Sequence, residues 1–169
     1  MTEGPEPLVI GLGGNVGTFA EILERFDRAR AALEALGGVR SARLYRSAPV
    51  GPSQPWFLNT AVRLAAADAQ PAALIAALLE IERLLGRRRD TEVRWGPRPL
   101  DLDVLVWGAR ILRTPELEVP HPRLAERKFA LLPLGDLVGE DFVVPGSGRV
   151  GSLARGVADQ RCDVVADTW

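Results

Sequence analysis

Two segments with helical periodicity alternate with short apolar runs, and this order is the feature that most constrains the fold. Residues 8–12 are apolar and end in glycines, which predicts a buried strand. Residues 13–17 predict a turn, and Thr18 with Glu21 forms a capping box at the start of a helix. A glycine pair at 37–38 ends that helix.

The alternation continues through the next seventy residues. Proline suits the first turn of a helix, glycine its end, and a proline-rich stretch an irregular loop. The pattern predicts strands at 39–47, 57–64 and 100–107, a helix between Pro71 and Gly86, and loops at 48–55 and 87–99.

The resulting order, βαββαβ, predicts a ferredoxin-like α+β fold with an antiparallel sheet and helices packed on one face. Beyond residue 120 the pattern weakens, and it predicts only small C-terminal additions. These are a short helix near 122–127, an apolar stretch at 129–134 and a small helix at 152–158. No repeat or linker interrupts the chain, so we expect a single domain over residues 1–169. This fold hosts many unrelated functions, so the function must be argued from particular residues.

The composition excludes several classes of protein. Hydrophobic residues make up 47% and charged residues 25% of the chain, which is typical of a folded globular domain. The net charge of −1 predicts no general attraction to nucleic acid. No apolar run approaches the ~20 residues of a membrane span, and residues 1–10 lack signal-peptide character. One cysteine, Cys162, excludes an intrachain disulfide, and we expect a cytoplasmic protein.

An acidic pair on the last predicted core strand is the strongest chemical signal. Asp101 and Asp103 alternate with apolar residues, so both carboxylates point to one face of the strand and lie roughly 7 Å apart. Like charges at that distance favour a bound cation, and Mg²⁺ takes one or two carboxylates plus substrate phosphates. The alternative is the polar outer face of a half-buried strand.

Five arginines precede this pair within twelve positions. Arginine matches phosphate oxygens in a bidentate way, although an arginine run can also be a solvated loop. Carboxylates for metal beside arginines for phosphate predict a metal–triphosphate site. The arginines are Arg87, Arg88, Arg89, Arg94 and Arg98.

Several other side chains have two interpretations each. Trp95 is either a buried anchor or part of a lid that excludes water. Phe57 and Phe129 are either core residues or a stacking surface, and His121 is either a loop residue or a ligand contact. Asn59 is harder to explain structurally, because asparagine is depleted in strands and a buried amide needs partners.

The run Arg-Trp-Gly-Pro-Arg-Pro-Leu-Asp-Leu-Asp at residues 94–103 resembles the signature of the 6-hydroxymethyl-7,8-dihydropterin pyrophosphokinases. Other blocks are similar to further motifs of that family and follow in the family's order between about residues 8 and 135. They lie at 10–17, 45–59, 81–87 and 119–129.

The resemblance implies roles on the nucleotide side. Asp101 and Asp103 would ligate two Mg²⁺ ions and, with Arg87 and Arg98, form the catalytic set. Arg88 is an alternative to Arg89 because the spacing in this loop differs between members. The implied ATP contacts are Glu82, Arg87, Arg89, Trp95, Arg98, His121 and Arg127.

The resemblance also implies a pterin site. Phe57 and Phe129 would stack on both faces of the pterin, Asn59 would bond its edge, and Trp95 would close over it. The implied pterin contacts are Ser47, Ala48, Val50, Phe57, Asn59, Trp95 and Phe129.

The implied reaction is attack of the pterin hydroxymethyl oxygen on the β-phosphorus of ATP, giving AMP and a pterin diphosphate for folate synthesis. We expect a monomer acting on small molecules, with loops at 48–56 and 87–99 that move when ATP binds. Two alternatives remain: another Mg-ATP-dependent transferase acting on a flat heterocyclic alcohol, and a non-catalytic RNA-binding module of the same fold. The acidic face of Asp101 and Asp103 disfavours the second alternative.

Three positions depart from the family pattern. Gly14 stands where members often carry serine. Phe57 stands where some members carry tyrosine, which removes a hydroxyl but keeps the stacking ring. Pro122 also stands where some members carry tyrosine, which predicts the loss of a nucleotide contact.

Overall fold

Through residue 107 the secondary-structure elements follow the predicted βαββαβ order, except that two strands replace the second predicted strand. The computed structural model describes residues 6–66 and 68–169, so the part of the signal-peptide expectation that concerns residues 1–5 lies outside the described residues. The core elements are β1 (Leu8–Gly14), α1 (Phe19–Glu34), β2 (Gly38–Ser41), β3 (Leu44–Ser47), β4 (Phe57–Ala65), α2 (Pro71–Leu84) and β5 (Asp101–Trp107). The later elements are β6 (Leu112–Arg113), β7 (Glu118–Val119), a 3₁₀ helix (Leu124–Glu126), α3 (Lys128–Val138), β8 (Val143–Val144), β9 (Gly148–Arg149), α4 (Val150–Gly156) and β10 (Cys162–Ala166).

The main sheet has the order β10-β3-β4-β1-β5, and β2 also pairs with β4. All of its pairings are antiparallel, which confirms the predicted fold class. β1 lies between β4 and β5, so residues on these three strands share one central surface.

Helices cover both faces of the sheet. α1 and α2 pack on one face as predicted, where Phe26 and Leu78 meet Leu102 and Val104 of β5. The opposite face is partly covered by α3, a C-terminal addition whose Leu131 packs in a second apolar cluster. α1 has 16 residues, and no helix in the described part of the chain is long and apolar enough to cross a membrane.

The single strand predicted over 39–47 is wrong, because two strands occupy that segment. The break falls at Arg43, whose amide donates to the Asp136 carboxylate (3.1 Å) and whose carbonyl accepts from the Thr60 hydroxyl (2.9 Å). Both backbone groups are therefore bonded to side chains instead of to the backbone of the neighbouring strand β4. Asp136 lies on α3, so the helix that covers this face also interrupts the strand.

The C-terminal segment adds an element that the sequence pattern did not predict. β10 pairs with β3 at the edge of the sheet, opposite Ser47 to Leu44. Trp169 then packs edge-on against Phe26 at 6.0 Å between ring centres, and its indole N–H donates to Asp27 (2.8 Å). These contacts hold the end of the chain on α1.

α3 was predicted only as an apolar stretch, and Pro133 inside the helix explains why. Proline lacks an amide donor and normally disfavours a helix interior. Here Pro133 is buried in the helix together with Ala130, Leu131, Leu134 and Leu137. Burial of this apolar face against the sheet outweighs the local cost.

Asp136 provides a test of how α3 is held on the sheet. Its carboxylate accepts from the buried Tyr45 hydroxyl (2.7 Å) and from the Arg43 guanidinium (2.9 Å). We expect Asp136→Ala to lower the free energy of unfolding by about 2–3 kcal/mol, and Tyr45→Phe by about 1 kcal/mol. Urea titration measures both, with the exposed Asp141→Ala as control. Equal stabilities for Asp136→Ala and Asp141→Ala would contradict this account.

Candidate active site

A cavity of about 490 Å³ opens beside α3, on the part of that sheet face that α3 does not cover. Its floor is β1, where Gly11 pairs with Asp103, and Gly13 pairs with Asp101 on one side and Asn59 on the other. A Cβ at Gly11 would lie 3.2 Å from the Leu105 side chain. Glycine at this position therefore avoids a crowded contact on the floor of the cavity. Twelve of the predicted contacts line the cavity: Ser47, Ala48, Val50, Phe57, Asn59, Trp95, Arg98, Asp101, Asp103, His121, Arg127 and Phe129.

The acidic pair at one end of the cavity is electrostatically unequal. Asp101 accepts from Arg87 (2.6 Å) and from Arg98 (3.0 Å). Burial alone would raise the pKa of Asp101, but these two guanidinium groups hold it below its ordinary value. For Asp103, burial and the neighbouring Asp101 charge raise the pKa to about 7. Of the two carboxylates, Asp103 is therefore the one less compensated by positive charge.

A buried ion cluster lies beneath this pair. The Arg87 side chain is 2% exposed, and it donates to Glu82 (2.9 Å), Glu92 (2.7 Å) and Asp101. Glu82 is equally buried and also accepts from the Leu102 amide (2.8 Å). Burial raises the pKa of Glu82, opposed by the Leu102 bond and the Arg87 charge. The cluster fixes the end of α2 to β5 and orients Asp101.

Three predicted ATP contacts therefore do not line the cavity. Glu82 and Arg87 belong to the buried cluster, and Arg89 pairs with Glu82 at 2.8 Å from the exposed side. The sequence could not distinguish a buried arginine from an exposed one, since both stand in the same basic run.

His121 lies at the rim, close to Asp103. Burial and the Arg127 charge lower the pKa of His121 to about 4, so the imidazole is neutral at pH 7. Its Nδ1 accepts from the Arg123 amide (3.1 Å), which places the proton on Nε2. Nε2 lies 3.8 Å from Asp103 Oδ2, beyond hydrogen-bond distance.

The other end of the cavity combines an amide with aromatic rings. Asn59 is 4% exposed, and its Nδ2 donates to the Ser47 hydroxyl (2.6 Å). A Cβ on Gly13 would lie 3.4 Å from Asn59 Oδ1, so this oxygen lies over the cavity floor. Phe57 lies two residues before Asn59 on β4, and both Phe57 and Phe129 line the cavity and are only partly buried. This half suits a flat ligand with hydrogen-bonding edges.

Trp95 also lines the cavity, in an unusual backbone conformation. Its φ is 64°, in the left-handed region that non-glycine residues rarely adopt. The Arg123 guanidinium stacks on its ring at 4.2 Å from the centroid.

Sequence reasoning missed some of the lining residues. Arg123 and Gln160 reach the cavity from segments far along the chain, whereas Arg94, one of the five arginines already considered for phosphate, also lines it. Arg123 stood within a block already singled out, so its charge could have drawn attention. Gln160 had no such signal, because long-range contacts bring it to the cavity: its side chain accepts from the Lys128 amide (2.9 Å) and donates to the Glu126 carbonyl (2.6 Å).

The acidic pair suits a divalent cation that also binds substrate. Within residues 6–66 and 68–169, no group of three or more His, Cys, Asp or Glu side chains is placed to hold a metal ion. Mg²⁺ does not require such a group, because it commonly uses one or two carboxylates and completes its shell with water and phosphate. Burial and the neighbouring Asp101 charge raise the pKa of Asp103, so Asp103 is the member of the pair that a bound cation would stabilise most.

Comparison with known proteins gives the family of this chain. The sequence model of 7,8-dihydro-6-hydroxymethylpterin-pyrophosphokinase matches residues 9–139. A 2-amino-4-hydroxy-6-hydroxymethyldihydropteridine pyrophosphokinase of Pseudomonas aeruginosa is 42% identical over 148 residues, which cover 85% of this chain and 87% of that protein. One of Synechocystis is 40% identical and covers 83% of this chain and 70% of that protein. The chain belongs to the 7,8-dihydro-6-hydroxymethylpterin-pyrophosphokinase family.

Longer proteins contain a similar segment. A mitochondrial folate synthesis bifunctional protein of Arabidopsis thaliana is 43% identical over 78% of this chain, which spans 23% of that protein. A crystal structure of Plasmodium falciparum HPPK-DHPS superposes with a TM-score of 0.66 at 14% identity. The superposition covers 94% of this chain and 47% of the Plasmodium chain. At 14% identity, the superposition shows that the two proteins share a fold.

The buried cluster predicts that Arg87 and Arg89, which both bind the Glu82 carboxylate, contribute very differently to stability. Arg87→Ala would leave Glu82 buried without its main cation, and we expect a loss of about 3–5 kcal/mol in the free energy of unfolding. Arg89 is 53% exposed, so Arg89→Ala should cost less than about 1 kcal/mol. Chemical denaturation distinguishes the two, and comparable losses would refute the role given to Arg87.

The raised pKa of Asp103 predicts how pH affects the metal-free protein. The folded state holds the proton up to about pH 7 and the unfolded state only to about 4, so Asp103 lowers stability as pH rises between these values. Asp103 is 35% exposed, so screening reduces the effect to about 1–2 kcal/mol. In EDTA, Asp103→Asn should therefore be more stable than wild type at pH 8 but not at pH 4.

Urea titration at the two pH values measures this difference. Asp141→Asn is the matched control, since that carboxylate is 96% exposed. An Asp103→Asn protein no more stable than wild type at pH 8 would contradict the electrostatic account. Added Mg²⁺ should stabilise wild type and leave Asp103→Asn nearly unchanged.

Proposed function

We propose that this chain transfers the terminal diphosphate of ATP to 6-hydroxymethyl-7,8-dihydropterin, giving AMP and the pterin diphosphate used in folate biosynthesis. The observation that carries the proposal is a single cavity with two chemically different ends. Asp101, Asp103 and Arg98 line it on the β5 side of β1, Asn59 and Phe57 line it on the β4 side, and Phe129 of α3 also lines it. Membership of the pyrophosphokinase family supports the same reaction.

The transfer makes one bond and breaks one bond at the β-phosphorus of ATP. The hydroxymethyl oxygen bonds to that phosphorus and loses its proton to water, while the bridge to the α-phosphate breaks and AMP leaves with the bridging oxygen. Arg98 and Arg127 line the cavity and can meet the phosphate oxygens with paired N–H donors. Such a transfer depends mainly on positioning and charge stabilisation.

Asp101 and Asp103 are the residues proposed to hold two Mg²⁺ ions. When bound, Mg²⁺ would neutralise phosphate charge and orient the reacting oxygens. Arg87 and Arg98 would contribute by keeping Asp101 ionised and fixed in direction, a role that their contacts of 2.6 Å and 3.0 Å with Asp101 support. Arg87 and Glu82 are thus proposed to affect ATP binding indirectly, by holding Asp101 in position. The exposed Arg89 can turn toward the phosphates and bind them directly.

His121 is proposed to donate a hydrogen bond and not to act as the base. Its Nδ1 is occupied by the Arg123 amide, and its protonated Nε2 faces the acidic end of the cavity. A neutral imidazole with that tautomer can donate to a phosphate oxygen but has no lone pair available for the alcohol proton.

The pterin is proposed to lie at the amide end. With Nδ2 bonded to Ser47, Asn59 offers Oδ1 to the N–H groups of the pterin edge. Phe57 and Phe129 would stack on its two faces, and Ala48, Val50 and Trp95 would enclose it. The loops at 48–56 and 87–99 are proposed to move when ATP binds.

We further propose that the chain acts as a single domain and a monomer in the cytoplasm. Its two apolar clusters share one sheet, which supports one domain. A single cysteine supports a reducing compartment. Light scattering after size exclusion tests the monomer directly.

The reaction is tested by incubating the protein with ATP, Mg²⁺ and 6-hydroxymethyl-7,8-dihydropterin and measuring AMP by chromatography. We expect AMP only when the pterin is present. The double variant Asp101→Ala plus Asp103→Ala should lose about 100-fold or more of the rate. A matched double variant, Asp141→Ala plus Asp163→Ala, removes two exposed carboxylates and should keep the wild-type rate.

Two outcomes would overturn the proposal. ADP in place of AMP would indicate transfer of the γ-phosphoryl group and a different class of acceptor geometry. No nucleotide turnover by folded, ATP-binding protein would indicate a non-catalytic member of the family.

A further inference from the structure

We propose that Asn15 and Gln54 are positioning residues, whose two side-chain amides form a relay that fixes the loops at 48–56 and 87–99 relative to each other. The kinetic consequence of the relay rests on the proposed function. The relay itself is a property of the fold and can be measured separately.

Asn15 is the first member of the relay. It follows β1 and is 1% exposed. Its Nδ2 donates to Gln54 Oε1 (3.0 Å) and to the Pro55 carbonyl (2.9 Å). Its Oδ1 accepts from the Arg98 amide (2.8 Å), and its own amide donates to the Arg98 carbonyl (2.9 Å). Both side-chain donors are therefore bonded to one loop, and the side-chain acceptor to the other.

Gln54 is the second member and joins the same two loops. While its Oε1 accepts from Asn15, its Nε2 donates to the Trp95 carbonyl (2.7 Å) and to the Pro52 carbonyl (3.3 Å). The relay thus reaches the 87–99 loop at two points, through Arg98 and through Trp95.

The backbone of Trp95 needs such support. A φ of 64° is unfavourable for a residue with a side chain, and such conformations persist only where the surroundings hold them. The loop at 48–56 approaches closely here, since a Cβ at Gly51 would lie 3.2 Å from Trp95 Cβ. The bond from Gln54 to the Trp95 carbonyl holds this conformation from the facing loop.

The relay acts on groups that the site uses, without reaching the cavity itself. Neither Asn15 nor Gln54 is among the described residues that line the cavity, whereas Trp95 and Arg98 both are. The Arg98 guanidinium bonds to Asp101 at 3.0 Å, so a shift of its backbone disturbs the acidic end. Misplacement of reacting groups by about 1 Å can cost roughly 100-fold in rate.

The kinetic test compares Asn15→Ala, Gln54→Ala and the double variant. Each single change should lower kcat/KM for both substrates by about 10-fold or more, because the loops wall both ends of the cavity. The double variant should be no worse than the more damaging single variant, since both break one relay. The control is Thr18→Ala, which removes the cap of α1 in the same segment and should change kcat/KM by less than about 2-fold.

Amide hydrogen exchange measured by NMR tests the relay independently of enzymatic activity. Asn15→Ala should accelerate exchange at the Arg98 amide, whose acceptor it removes. Gln54→Glu keeps an oxygen for Asn15 and loses the donor to Trp95. It should therefore leave Arg98 protected while exchange at residues 93–96 accelerates. A general loss of stability would not separate the two loop positions in this way.

Multiplying effects in the double variant, a loss with Thr18→Ala as large as with Asn15→Ala, or unchanged Arg98 exchange in Asn15→Ala would each overturn the relay. Absence of transfer activity in the wild-type protein would instead refute the proposed function. In that case the exchange measurements alone decide the relay: faster Arg98 exchange in Asn15→Ala supports it, and unchanged exchange refutes it.

Discussion

The Arg87 guanidinium sits between three carboxylates, those of Glu82, Glu92 and Asp101, with almost no exposure to water. Charges so buried are tolerated only when they are paired and hydrogen-bonded. This pairing joins the end of α2, the loop that follows it and the first residue of β5. Asp101 can therefore remain charged at the start of β5, although the next residue, Leu102, lies in the apolar core.

The remaining architecture follows from strand alternation around that point. Leu102 and Val104 enter the core beneath α1 and α2, and Asp101 and Asp103 face the opposite side. α3 covers only part of that opposite face. The uncovered part becomes the cavity, and the glycines of β1 keep its floor free of side chains. One sheet thus carries a packed core on one face and a polar site on part of the other.

Much of this could be predicted from the sequence. The capping box at Thr18, the proline at the start of α2 and the alternation along β5 are local signals, and the elements they predicted are present. The misses share a cause. The break at Arg43 and the pairing of β10 depend on partners 93 and 117 positions away, and such contacts leave no mark on local periodicity.

The site divides in the same way. The sequence by itself determined which chemistry is present, because carboxylates, guanidinium groups, an amide and aromatic rings can be identified from residue type and spacing. Tertiary structure alone decided which arginine is buried under Asp101 and which remains exposed, since charge burial depends on what packs above it. It also decided that Asn15 and Gln54 meet, because a hydrogen bond between segments 39 residues apart exists only after the sheet has brought their loops together.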